Sequence, residues 1–82
     1  MDQRQQKIAK LQWRCRRGML ELDLILTRFL DGRVKALSDE QLTVFEALLD
    51  CPDPDLFAWF MAEEEPTEQE FIELVQLIRA KN

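Results

Sequence analysis

The chain contains no histidine and no tyrosine, and its one serine is Ser38. Without histidine there is no Ser/His or Cys/His pair to activate a nucleophile, and a zinc site would lack one of its main ligands. The two glycines are too few for a phosphate-cradling loop or a dinucleotide fingerprint. With only three prolines beside them, long irregular connections are not expected. Cys15 and Cys51 are too few and too far apart for a metal site or a disulfide framework, so both are expected to behave as small buried hydrophobes. No apolar run approaches the roughly 20 residues that span a bilayer, so no membrane insertion is expected. The opening "MDQRQQKIAKLQ" lacks an apolar signal core and carries an early acid, so a cytoplasmic location is expected.

What is present suits a binding protein. The 82 residues are 46% hydrophobic and 33% charged, which fits a single folded domain over residues 1–82. The net charge of −5 conceals an asymmetry. Residues 1–17 hold Arg4, Lys7, Lys10, Arg14, Arg16 and Arg17 against the single acid Asp2, a net of +5, which leaves −10 for residues 18–82. Such separation suggests two faces of a binding protein. The acids themselves are scattered over helix starts and polar faces rather than paired for acid–base work, so an enzyme is not expected. Nucleic acid is not expected either, because the −10 repels phosphate and no helix-turn-helix spacing is visible.

The periodicity is helical throughout. Ile8, Leu11 and Cys15 form an apolar row that Leu22, Ile25 and Phe29 continue beyond Gly18. "DGRVKAL" closes this part, with Gly32 expected to reverse the chain. "SDEQ" at 38–41 reads as a capping box ahead of Leu42, Phe45, Leu48 and Leu49. "CPDPD" ends that helix and starts the next, with Asp53 expected as N-cap and Pro54 at the first helical position, ahead of Leu56, Phe57, Trp59, Phe60 and Met61. Thr67 and Glu70 suggest a second capping box ahead of Phe71, Leu74, Val75 and Ile78. The expected fold is all-α, a small bundle of five helices with short connections.

The number five depends on Gly18. An unbroken helix over about residues 5–30 would place Lys7, Lys10, Arg14, Arg17 and Glu21 on one stripe, and its interior glycine would cost about 1 kcal/mol relative to alanine. A turn at Gly18 instead puts Arg16 and Arg17 at one helix end and Glu21 and Asp23 at the next helix start, both favoured by the helix dipoles. The broken reading accounts for the glycine and the charge order together and is preferred. An exposed Arg17–Glu21 pair would contribute only about 0–1 kcal/mol, so stability alone explains these charges poorly. A surface patch for a partner, with Trp13 as an apolar anchor beside the arginines, explains them better.

These residues carry a resemblance. "RRGMLELD" contains an Arg-Gly-x-x-Glu pattern at Arg17, Gly18 and Glu21, and "DPDLFAWF" at 53–60 and the SDEQ cap match further along. Over about residues 7–80 the chain resembles the bacterial FAD assembly factors of succinate dehydrogenase, which are related to the mitochondrial succinate dehydrogenase assembly factor two. The resemblance implies a five-helix fold and a chaperone-like role in flavinylation. Such proteins bind the flavoprotein subunit of succinate dehydrogenase, and often that of fumarate reductase, and promote covalent attachment of FAD to a histidine of the client. It implies that FAD is attached to the client and not held stably by the factor, which is expected to be a monomer when free. It assigns the client-binding patch to Arg17, Gly18 and Glu21, and proximity adds Arg14, Arg16, Asp23 and Trp13. In that patch Arg17 would meet a client carboxylate or carbonyl, Gly18 would allow close backbone approach, and Glu21 would orient a client arginine or hold Arg17. The competing expectation is an antitoxin-like or nucleic-acid-binding regulator acting through the basic N-terminal helix.

Overall fold

A computed structural model describes residues 3–33 and 35–80. Five helices occur among them: α1 Gln3–Arg14, α2 Leu20–Arg33, α3 Asp39–Leu48, α4 Asp53–Phe60 and α5 Gln69–Ala80. No described residue is in a strand, and no helix is long and apolar enough to cross a membrane.

The apolar rows meet in one core. Leu11 and Cys15 from the first segment pack with Leu22, Leu26, Phe29 and Leu30 of α2 and with Leu42, Phe45 and Leu48 of α3. Leu56 and Phe60 of α4 and Leu74, Val75 and Ile78 of α5 complete it. α5 packs against α2, α3 and α4. Phe29 and Phe45 stack with ring centroids 5.9 Å apart, joining α2 to α3. Trp59 meets Phe71 at 6.2 Å, joining α4 to α5.

The chain breaks at Gly18, as the charge order suggests. Gly18 takes φ +80°, a left-handed conformation that glycine adopts without the clash a Cβ brings. Glu21 and Asp23 occupy the first turn of α2. α1 ends at Arg14, so Arg16 and Arg17 lie in the turn just beyond it rather than in its last turn. Ser38 forms the expected box: its Oγ accepts from the Gln41 N–H at 3.1 Å, and the Ser38 N–H donates to Gln41 Oε1 at 2.9 Å.

Three expectations are corrected. Gly32 is not a chain reversal; it lies in the last turn of α2 and carries no positive φ. The reversal is closed instead by the Arg33 carbonyl, which accepts from the N–H groups of Ala36 and Leu37. Asp53 is not the N-cap of α4: Pro52 takes that place in extended conformation and Asp53 is the first helical residue, its carboxylate turned to another task. Thr67 lies two residues before α5 and one before the N-cap position, which Glu68 takes: its carbonyl already accepts the first helical bond, from Ile72.

Candidate functional site

The basic residues of the first segment are expected on an open face. Most of them instead lie along α3 and the loop that follows. Arg4 donates to Asp39 Oδ1 at 2.5 Å and to the Leu37 carbonyl at 2.6 Å. Lys7 donates to Thr43 Oγ1 at 2.9 Å and sits 3.9 Å from Glu46. Arg14 pairs with Asp50, and Arg17 with Asp53. The sequence offset between Arg4, Arg14 or Arg17 and its acid is 35 or 36 residues. A constant offset of this kind means that α1 runs parallel to α3, with each cation one register from its acid. Lys10 and Arg16 are exposed and have no ion pair among the described residues.

Arg17 is the most enclosed of these cations, its side chain 16% exposed. Its Nε donates to Asp53 Oδ1 at 2.5 Å, one terminal nitrogen to the Leu49 carbonyl at 2.6 Å and the other to the Cys51 carbonyl at 2.9 Å. Those carbonyls belong to the loop where α3 has ended and α4 has not begun, so they lack helical partners. The planar fork of arginine reaches three acceptors in fixed directions, which a lysine cannot. From the other side, the Arg17 N–H donates to Asp23 Oδ1 at 2.6 Å, reaching from the turn into α2. One residue thus ties the α1–α2 turn to the start of α2 and to the α3–α4 loop.

This arrangement corrects two details of the expected patch. Glu21 does not hold Arg17; Asp53 does, because the α4 start approaches the turn while Glu21 faces out. The Arg17 guanidinium faces the protein's own loop. Asp23 is half-buried on the Arg17 N–H, and Arg14 is occupied by Asp50. What remains open are Gly18, Glu21 and Arg16, with Trp13 72% exposed and Leu20 71% exposed beside them. A Cβ at Gly18 would meet nothing within 4 Å, so the surface above its backbone is open. Sequence reasoning missed Asp53, Leu49 and Cys51 as the seat of Arg17; the repeated offset between basic and acidic residues is the signal that could have found them.

The model of the family described as "Flavinator of succinate dehydrogenase" matches residues 9–82. The chain belongs to this family. Two proteins named FAD assembly factor SdhE, from Legionella pneumophila strains Lens and Paris, are each 48% identical over 79 residues, covering 96% of either chain. The protein of that name from Shewanella oneidensis is 46% identical over 74 residues, 90% of each chain.

The two cysteines sit near the same turn. Cys15 is fully buried, and burial pushes its thiol up to about 12 from an ordinary 9. Cys51 is half-buried and its thiol is also pushed up, first by burial and then by Asp55 and Glu68. Neither is an activated nucleophile.

Proposed function

We propose that this chain is a chaperone-like assembly factor that binds the flavoprotein subunit of succinate dehydrogenase and promotes its covalent flavinylation with FAD. The observation that carries this reading is the family match over residues 9–82. The open Gly18–Glu21 turn, braced on two sides through Arg17, supports it by offering a docking surface. The flavoprotein subunit of fumarate reductase is proposed as a second client. The factor acts in the cytoplasm as a monomer, is not itself an enzyme, and leaves FAD with the client.

In this mechanism the bond between flavin and client histidine forms inside the client. The factor favours the client conformation in which that bond can form, and it shifts the equilibrium only by binding that conformation more tightly than the others. Gly18 supplies close backbone approach and Glu21 a fixed carboxylate for a client cation or N–H. Arg17 serves as the brace that holds both, a different role from direct pairing with the client. Trp13 and Arg16 extend the contact area, while Arg14 and Asp23 act through the turn's position.

The test is in-gel flavin fluorescence of the client subunit, produced with and without the factor. Covalent flavin should rise with the wild-type chain and fall with Glu21→Ala and Gly18→Ala. Normal flavinylation with both variants would remove the turn from the docking surface. No gain from the wild-type chain would overturn the function itself.

A further inference from the structure

Beyond the Gly18 turn, the exposed side of α2 runs on through Leu20 and Leu24 to Arg28 at intervals of four residues, which keep them on one helical face, with Glu21 three residues before Leu24. It leads into a cleft of about 400 Å³ lined by Leu24, Ile25 and Arg28 of α2, Phe60 and Met61 at the end of α4, and Arg79 of α5. Leu24 is 44% and Met61 42% exposed, so apolar surface stands open to water here. Met61 is held at this edge by the turn that ends α4. There the Glu63 N–H reaches back to the Ala58 carbonyl at 2.9 Å, and Ala62 takes φ 62°.

The charge around the cleft points to its occupant. Residues 18–82 carry a net charge of −10 and only five cations: Arg28, Arg33, Lys35, Arg79 and Lys81. Two of the five, Arg28 and Arg79, line this one cleft. Neither has an ion pair among the described residues, although this part of the chain is rich in acids. The first segment shows what the fold does with cations it needs for itself: Arg4, Arg14 and Arg17 are each seated on an acid. Arg28 and Arg79 are left exposed in the lining of a cleft that is otherwise apolar.

We propose that this cleft is a second docking surface, continuous with the Gly18–Glu21 turn along α2, and that it receives a client segment presenting an apolar side chain flanked by carboxylates. The apolar side chain is covered by Leu24, Ile25 and Met61, and the carboxylates pair with Arg28 and Arg79. The inference rests on the proposed function, because the client is taken to be the flavoprotein subunit. The cleft contributes affinity and orientation at a distance from the turn, which lets the turn itself stay small.

The experiment measures the affinity of the purified flavoprotein subunit for the wild-type chain and for Arg28→Glu, Arg79→Glu and Lys35→Glu, with circular dichroism melting to confirm folding. Reversal at either cleft arginine should weaken binding about tenfold or more, and Lys35→Glu, outside the cleft, should leave it within about twofold. A photo-crosslinker at Met61 should capture a client peptide containing an apolar residue beside Asp or Glu. If the arginine variants bind like wild type while Glu21→Ala loses affinity, the cleft is wrong and the proposed function stands. If the wild-type chain does not bind the subunit, the function fails and the cleft falls with it. A crosslinked peptide without a carboxylate overturns the assigned chemistry. Self-association that these variants abolish, with client binding unchanged, overturns it in favour of a second copy of the chain.

Discussion

Replacing Arg17 with alanine removes a brace, and the structure sets the size of the effect. The substitution deletes three side-chain hydrogen bonds, to Asp53 and to the carbonyls of Leu49 and Cys51. A bond between charged partners contributes about 1.5–3 kcal/mol, but the Asp53 side chain is 33% exposed, so solvent reduces this one to about 1 kcal/mol. Each loop carbonyl left without a donor costs about 1 kcal/mol more. The expected loss is therefore about 2–4 kcal/mol. An 82-residue domain has an unfolding entropy of about 170 cal/mol/K, so each kcal/mol lowers Tm by about 6 °C. Arg17→Ala should thus melt roughly 12–24 °C below wild type by circular dichroism. Arg17→Lys should fall between the two, since one ammonium cannot address three acceptors. Asp53→Ala should cost about 1 kcal/mol, and the double variant should show coupling between the pair. A Tm within about 3 °C of wild type for Arg17→Ala would refute the brace and return Arg17 to the role of an exposed client contact. Such a result would also change how a loss of flavinylation in that variant is understood, from displaced neighbours to a lost direct contact.

The remaining predictions concern the backbone and the buried thiol. Ala62 is the one non-glycine residue with positive φ among those described, at 62°. Ala62→Gly should raise stability by about 0.5–1 kcal/mol in urea unfolding, and an unchanged or lower midpoint would argue against the left-handed turn. Cys15 should stay unmodified by thiol reagents in the native protein at pH 8 and react only on unfolding, with mass spectrometry locating the label. Because its thiol is pushed up from 9 to about 12, the folded state keeps a proton that the unfolded chain loses. Its contribution to stability is therefore full below pH 9 and lost as pH rises from 9 toward 12. Removing this thiol by Cys15→Ala should flatten that alkaline loss, measured relative to stability at pH 8.

Much of the fold was legible because it depends on period and punctuation. The rows ending at Phe29, Leu49 and Ile78 are buried as their period indicates, and Gly18 with Glu21 and Asp23 behind it is a turn and a helix start, the one of two readings that the charge order favours. The errors differ in cause. Asp53 looks like an N-cap because Asp-Pro often begins a helix, yet its carboxylate is drawn to Arg17, a partner 36 residues away that no local rule can see. Gly32 looks like a reversal because glycine often ends a helix, but the helical bonds of α2 run past it and the turn closes at Arg33. Thr67 illustrates the usual slip of one residue at a helix start.

The candidate site was legible in its letters but not in its division of labour. A run of cations on a helix suggests a face offered to a partner, and here it is mostly a seam: Arg4, Lys7, Arg14 and Arg17 lie against Asp39, Glu46, Asp50 and Asp53. The seam explains why a protein with net charge −5 gathers its positive charge in one segment. It lets α1 run beside an acidic helix with only Leu11 fully buried within it. Arg17 ends the seam at the loop before α4, and by doing so it fixes Gly18 and Glu21 on the outside of a turn with little freedom. A partner that docks there meets a surface already ordered, so less of the binding free energy is lost in ordering it. The residues free to recognise that partner are then those the fold does not consume. Gly18 has open space above it, Glu21 has no cation of its own among the described residues, and Leu20 and Leu24 stay exposed on the same helix. The recognition surface we propose therefore lies not on the basic helix, where the sequence draws attention, but in the first two turns of α2.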